Sequence, residues 1–426
     1  MDETSNADET RRTLWRNRSF AHLWWAESIS QLGSQVSLLA LPLVAITVLH
    51  ASTFAVGALT AVEFSPFVLF GLPAGAIVDR LPHRPILVVA DVGRAVALAS
   101  VPIAYAFGAL TYAQLLVVVF VTGSLTVFFD VAYQSILPSL VERDQIVEGN
   151  SRLEVSRSSA QLAGPAVGGL LVQAIGAASA VTADAASFVV SALLIRGIRA
   201  DEPRAERVDD DTSTLRALGR EIREGLRYVL GHRTLRMIAG STATSNFFSS
   251  MTAAVFLLYA VRERHYSAGL VGAVFAIGNV GPLVAAVTSA RITRAIKLGP
   301  AIWLGMLLAQ LAFLLLGVAP TQHAFGYFAV AWLLFGFGGT LYNIAQVSLR
   351  QAITPRRLQG RMNASMRFMV WGTMPFGSLA GGALGTAIGL RPTLLVAGIG
   401  GLSAVPWVLA RSVRELVAIP ESEGDD

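Results

Sequence analysis

The chain has 426 residues, 54% of them hydrophobic and 14% charged, with 33 Lys and Arg against 28 Asp and Glu for a net charge of +5. A soluble domain carries more charge than this on its surface, so composition excludes an ordinary cytosolic globular protein. The absence of Cys excludes disulfides and thiolate metal sites, and six dispersed His lack ligand-like spacing, so no metal and no other cofactor is expected.

Residues 1–19 are acidic, then basic and polar, without the apolar core of a cleavable signal, and read as a cytosolic tail. Apolar runs then recur that reach the ~20 residues a bilayer requires. Residues 20–199 form a first bundle, with spans predicted at 20–49, 53–78, 85–107, 111–138, 150–174 and 179–199. Residues 236–412 form a second, with spans at 236–261, 267–290, 299–319, 323–351, 362–387 and 391–411, and 413–426 make a closing cytosolic tail. Runs this long are helices, because barrel strands are much shorter. The expected fold is all-α: twelve transmembrane helices in two six-helix bundles.

A pI near 9.9 raises the question of nucleic acid. The basic residues, however, form short clusters between spans and no groove-sized patch, which is the topogenic pattern of a multi-pass membrane protein. Arg11, Arg12, Arg16 and Arg18 precede the first span, Arg80 and Arg84 follow the second, and Arg143 and Arg152 follow the fourth. In the second bundle Arg291, Arg294 and Lys297 follow the eighth span, and Arg356, Arg357 and Arg361 the tenth. The opposite loops hold little beyond Arg262, Arg264 and Arg391. Both termini are therefore expected in the cytosol of a bacterial cell, with the lipid bilayer as the partner and no nucleic acid.

Residues 200–235 interrupt the apolar rhythm as a polar linker. Leu215, Leu218, Ile222, Leu226, Val229 and Leu230 recur there at helical spacing opposite Arg216, Arg220, Arg223 and Arg227. This predicts an amphipathic helix lying on the inner leaflet or on the cytosolic helix ends, with a regulatory role as the alternative.

The linker divides the chain into halves, and the halves repeat. Gly164-Pro165-Ala166-Val167-Gly168-Gly169 matches Gly377-Ser378-Leu379-Ala380-Gly381-Gly382 at an offset of 213 (377 − 164), in register with Asn150 and Asn363. A weaker match joins Asn17-Arg18-Ser19-Phe20 to His232-Arg233-Thr234-Leu235. Duplicated halves of this kind place a substrate site between them and alternate its access by rocking.

These features resemble the major facilitator superfamily, whose members are built from repeated halves, over all but the tails and linker. Gly75-Ala76-Ile77-Val78-Asp79-Arg80-Leu81-Pro82-His83-Arg84 stands where that superfamily has its gating-loop signature, with Pro82 and His83 departing from the pattern. Phe128-Phe129-Asp130, Leu137-Pro138-Ser139-Leu140-Val141, Asp184-Ala185-Ala186-Ser187-Phe188 and Arg356-Arg357-Leu358-Gln359-Gly360-Arg361-Met362-Asn363 are similar to the transmembrane secretion effector branch, which includes siderophore exporters and macrolide-efflux-type proteins. The resemblance implies two pseudo-symmetric bundles and export of a small molecule coupled to proton entry. It also implies gating contacts near Gly75, Asp79, Arg80 and Arg84, and a kinked, sealing helix at Gly164-Pro165.

Ionisable groups at membrane depth cost roughly 2.5–3.5 kcal/mol on insertion scales, so each needs a reason. Glu63 lies ~15 Å into its span by helical rise, within Ala61-Val62-Glu63-Phe64-Ser65-Pro66. It reads as a proton carrier or as a permanently protonated, hydrogen-bonded group. Asp130 and Arg94 sit at matching depth and are expected to pair, with Asp91 one turn from Arg94 as a sharer. That pair is either structural or broken by protonation during transport. Glu27 and Arg157 are expected to neutralise each other, with a cationic cargo or a proton as the alternative for Glu27. Asp184 reads as a cap or an interhelix hydrogen bond.

Gly71-x-x-x-Gly75, Gly164-x-x-x-Gly168 and Gly377-x-x-x-Gly381 have the spacing of close helix contacts, and Pro165 bends its helix. Asn246, Phe247, Phe248 and Met251, with Trp371 and Met374, are candidates for an apolar cargo cavity, or else pack or face lipid. No nucleotide-binding loop is present, so ATP is not the expected energy source. The leading expectation is a monomeric, proton-driven exporter of amphipathic small molecules and not an enzyme. A nutrient facilitator or symporter, or a non-transporting receptor or scaffold, are the alternatives.

Overall fold

The computed structural model describes Leu14, residues 17–71, 73–78, 80–142 and 145–198, Gly219 and residues 223–417, and among them there are helices and turns but no strand. The first half contributes α1 (Arg18–Leu43), α2 (Thr53–Phe70), α3 (Pro73–Val78), α4 (His83–Ala106), α5 (Tyr112–Leu140), α6 (Ile146–Ile175) and α7 (Ala177–Arg196). The second contributes α8 (Arg233–Leu258), α9 (Ala268–Gly278), α10 (Val280–Ile296), α11 (Leu298–Val318), α12 (Ala324–Ile353), α13 (Arg356–Trp371), α14 (Met374–Ile388) and α15 (Leu390–Gly401).

Nine helical stretches among the described residues are long and apolar enough to cross a membrane. The three other predicted spans are helical but less apolar or shorter. α6 carries Glu148, Arg152, Glu154 and Arg157 in its first half. The span at 362–387 is interrupted at Gly372-Thr373, between α13 and α14, and α15 ends after twelve residues in a short turn.

Of the expected amphipathic linker, residues 223–231 are helical, and Val229 is buried in the core of the second unit. The Tyr228 hydroxyl donates to the Ile353 carbonyl at 3.2 Å, and Glu224 pairs with Arg361 of α13 at 2.6 Å. Leu215, Arg216, Leu218, Arg220 and Ile222 lie outside the described residues, as do most of the two tails.

The ends of corresponding helices are built alike. Asn17 caps α1, its Oδ1 accepting from the amides of Ser19 (3.0 Å) and Phe20 (3.1 Å), and His232 caps α8 through Nδ1, which accepts from the Leu235 amide at 3.4 Å. Each helix then finishes in a π-helical turn, Val44–Val48 and Tyr259–Glu263, followed by a histidine in the left-handed region, His50 (φ 50°) and His265 (φ 54°). These three pairs share an offset of 215 (232 − 17, 259 − 44, 265 − 50). Two further counterparts, Gly176 (φ 83°) between α6 and α7 and Gly389 (φ 91°) between α14 and α15, take a conformation that glycine adopts without steric penalty. Their offset is 213 (389 − 176), the same as that of the glycine motifs.

The chain packs as two units, one of Met1–His50 and Leu69–Arg207, the other of Ala51–Val68 and Val208–Asp426. The two units part between Arg207 and Val208, inside the linker segment, and most of α2 groups with the second unit. Within the first unit α1 packs on α6 and α7, α4 on α5 and α7, and α3 on α5. Its core gathers Phe20, Leu23, Leu87, Phe129 and Ile136. Within the second, α8 packs on α14 and α15, α11 on α12 and α15, and α10 on α12, which is the same scheme. Large apolar side chains such as Val96, Leu193, Val287 and Ile399 stand exposed on helix surfaces, as a lipid solvent permits.

Candidate coupling cluster and cargo cavity

In the first unit, α1, α4, α5 and α7 bring polar groups into an apolar interior. Arg94 on α4 is buried with its guanidinium between two rings, 4.2 Å from the Phe129 centroid on α5 and 4.1 Å from that of Phe188 on α7. It ion-pairs with Asp91, itself fully buried, and lies 3.4 Å from the Thr126 hydroxyl. The planar guanidinium stacks on both rings while its edge serves the carboxylate, an arrangement that an ammonium would not reproduce.

The ion pair thus runs to Asp91, the residue expected only to share Arg94 with Asp130. Residues three apart on a helix are neighbours. On α5 the ring of Phe129 faces the guanidinium, and the adjacent residue points about 100° away around the helix. Asp130 is half-buried and lies within electrostatic reach of Glu27 and Tyr133.

Glu27 on α1 is buried, and its Oε1 accepts from Gln31 Nε2 at 2.7 Å while Oε2 has no hydrogen-bond partner among the described residues. Arg94, Asp130 and Arg157 are all within its electrostatic reach, so α1, α4, α5 and α6 converge on it. Arg157 itself is exposed. The α1–α6 contact beside it is polar: Ser28 hydrogen-bonds Ser156, and Trp24 Nε1 donates to the Arg152 carbonyl at 3.3 Å. Further along, Gly164, Pro165 and Gly168 are buried; Gly164 faces the Gln35 side chain, and a Cβ on Gly168 would come 3.2 Å from the Val36 Cα.

Asp184 on α7, read from the sequence as a cap or an interhelix hydrogen bond, sits within this cluster. It is buried against Gly33 of α1, accepts from Ser187 Oγ at 3.2 Å, and is faced by Ser34 and Ser37. The signal available in the sequence is Ser34 and Ser37 flanking Gly33 by one and four residues, a polar strip on the same face.

Glu63 belongs to the second unit. It is half-buried on α2, and among the described residues no hydrogen bond or ion pair reaches its carboxyl. Its helix is held by close contacts in the second unit, where Gly57 meets Gly382: a Cβ on Gly57 would come 2.8 Å from the Gly382 Cα. Near its two ends Arg262 donates to the Ala51 carbonyl at 2.6 Å, and Phe67 packs edge-to-face on Trp371 with centroids 5.2 Å apart. Of the gating-loop residues, Asp79 lies outside the described residues. Gly75 opens onto free space, and Arg84 donates to the Arg196 carbonyl.

The second unit holds a partly open cavity of about 160 Å³ among α8, α11 and α12. Thr242, Ser245, Asn246 and Ser249 supply one wall from a single face of α8, at spacings of three, one and three. Opposite stand Tyr342 and Asn343 on α12. The Thr242 and Tyr342 hydroxyls share a hydrogen bond at 2.6 Å, Gln310 Nε2 donates to Ser245 Oγ at 2.7 Å, and Asn246 Nδ2 donates to the Val370 carbonyl at 2.8 Å. Of the six cargo candidates named from sequence, Asn246 lines this cavity. Phe247 and Met251 turn their backbones to Gly377 and Gly381 of α14, Phe248 packs on Gly400, and Met374 opens α14. The remaining hydroxyls and amides of the lining carry a sequence signal of their own, a polar stripe on α8 that a search for apolar cargo contacts passes over.

The profile of a family described as "Transmembrane secretion effector" matches residues 12–423. The multidrug efflux pump Tap of Mycolicibacterium fortuitum is 28% identical over 341 residues, covering 78% of this chain and 80% of the pump. The enterobactin exporter EntS of Escherichia coli O1:K1 is 24% identical over 253 residues, covering 59% of this chain and 56% of the exporter. Among solved structures, a bacterial homologue of the iron transporter ferroportin in an inward-facing state matches with TM-score 0.72 at 17% identity, over 93% of this chain and 99% of that one. The nucleoside transporter NupG also matches with TM-score 0.72, at 12% identity, over 92% and 98%. At such identities the structures share the fold with this chain.

Proposed function

The chain belongs to the transmembrane secretion effector family of major facilitator transporters, and on that premise we propose that it exports an amphipathic small molecule across the bacterial cytoplasmic membrane, driven by proton entry. In this reading twelve helices span the bilayer as two pseudo-symmetric bundles, both termini are cytosolic, and a monomer alternates access by rocking one bundle against the other. That its relatives are a multidrug efflux pump and an enterobactin exporter supports export of a small molecule.

The observation that carries the coupling is Glu63, a carboxyl on a predicted span with no hydrogen-bond or ion-pair partner among the described residues. An acidic group at membrane depth without a permanent counter-ion is a group a passing proton visits. Glu27, with one buried carboxyl oxygen unpartnered and two arginines in electrostatic reach, is the second candidate, and the Asp91–Arg94 pair is its structural support. A toxicity panel in a pump-deficient host tests the reading. Cells carrying the intact chain should tolerate at least one amphipathic compound better than cells with empty vector, and Glu63→Gln should abolish the advantage. No advantage for any compound would overturn drug export.

A further inference from the structure

The α8–α11–α12 cavity has a chemistry of its own. None of its lining residues is ionisable at neutral pH: hydroxyls and amides come from α8 and α12, and an apolar wall comes from Met306, Ala309 and Phe335. Its volume of about 160 Å³ matches the size of cavity that takes a single benzene ring. No lining residue offers a counter-charge, so an ion moved into this space would give up hydration without an ion pair from the wall in return. The site therefore selects against charge.

The hydrogen-bond inventory says which groups remain for a ligand. Asn246 donates one amide hydrogen to the Val370 carbonyl, which leaves its Oδ1 free to accept. Ser245 accepts from Gln310, which leaves its hydroxyl proton to donate. Asn343 accepts from Gln346 Nε2 at 3.0 Å through Oδ1, leaving its amide hydrogens, and it is exposed. Ser245 and Asn246 on α8 thus offer a donor and an acceptor, Asn343 on α12 offers donors from across the space, and Met306, Ala309 and Phe335 supply apolar surface in the same lining. Gly339, one turn before Asn343, completes the wall, and a Cβ there would meet no atom within 4 Å.

We propose that this cavity binds an uncharged ring bearing a hydroxyl or carbonyl group, and that it seats the neutral end of the exported molecule. The first part stands on the cavity alone; the second rests on the export reading above. The ligand's polar group takes its hydrogen bonds from these α8 and α12 side chains, and its ring carbons lie against Phe335 and Met306.

Phenol is the probe, titrated by saturation-transfer NMR against the purified full chain in lipid nanodiscs, with benzoate and benzylammonium as charged counterparts. Phenol should bind saturably and both ions should fail to displace it. Gly339→Leu fills the cavity from an open position and should remove saturable binding. Gly339→Ala, which clashes with nothing, should weaken it partly. Asn343→Leu should weaken phenol about tenfold, the effect of losing one good hydrogen bond, and leave benzene unchanged. Unaltered phenol binding in Gly339→Leu, or benzoate binding as tightly as phenol, would overturn the site. Binding is read without transport, so the two readings fail separately. Phenol binding that Gly339→Leu removes, with no export in cells, sinks the export reading alone, whereas export without phenol binding sinks the site alone.

Discussion

Gly381 lies against the backbone of Met251, so closely that a Cβ at 381 would fall 2.6 Å from the Met251 carbonyl oxygen and 3.0 Å from its Cα. Its counterpart Gly168 lies against Val36, with 3.2 Å to the Cα. In each unit the equivalent pair of helices is brought together by a glycine, because only a missing side chain lets backbones approach so near.

The two contacts differ in tightness, and that difference is measurable. Gly381→Ala pushes a methyl into backbone that cannot rotate away, and should destabilise by about 1–3 kcal/mol, the usual cost of overpacking. Gly168→Ala should cost less, and Gly326→Ala, where nothing lies within 4 Å, should be neutral or stabilising. Thermal melts of the three purified variants give the order. Equal melting of Gly381→Ala and Gly326→Ala would refute it.

Removing Arg94 leaves Asp91 buried without its counter-ion, a loss of roughly 3–5 kcal/mol for Arg94→Ala. Arg94→Lys keeps the charge but not the stacking on Phe129 and Phe188, and should cost about 1–2 kcal/mol. Neutralising both partners, Asp91→Asn with Arg94→Met, should recover more than half of the Arg94→Ala loss. A double variant as unstable as the single one would show that the pair is not what Arg94 contributes.

His232 gives stability a pH dependence. Burial holds its imidazole below the usual value of 6.5, and its Nδ1 must stay unprotonated to accept from the Leu235 amide. As pH falls through 6.5 the unfolded chain takes up a proton that the folded chain resists, so this contribution is complete above 6.5 and is lost on acidification. His232→Asn caps the helix with an oxygen that does not titrate in this range. The slope of melting temperature against pH below 6.5 should therefore be shallower in the variant; parallel slopes would exclude His232 as the source.

Glu63→Gln separates coupling from movement of cargo. The variant should still exchange labelled for unlabelled cargo across a vesicle membrane, while losing uphill transport driven by a pH gradient. Loss of exchange as well would assign Glu63 to cargo binding or to folding.

Much of the architecture was legible because lipid imposes long, nearly uncharged runs, and because the halves kept their local chemistry. The faint likeness of Asn17-Arg18-Ser19-Phe20 to His232-Arg233-Thr234-Leu235 turns out to join two helix N-caps. The glycine motifs at 164–169 and 377–382 sit in equivalent helix contacts. Caps, glycine spacing and apolar length act over a few residues or a single helix, and the order of residues alone determines them.

Contacts between helices are another matter. Counting residues along a span yields depth, which placed Arg94 and Asp130 together, but the direction a side chain takes around the axis depends on how neighbouring helices are rotated. That rotation put Phe129 over the guanidinium and assigned its ion pair to Asp91. It drew Asp184 among the serines of α1, grouped Ala51–Val68 with the second unit, and turned the α8 hydroxyls toward Asn343 to line a cavity. The amino-acid order decides which segments are helices and where they start and stop. Packing decides which faces meet, because that choice minimises a sum over many helices that no single segment contains.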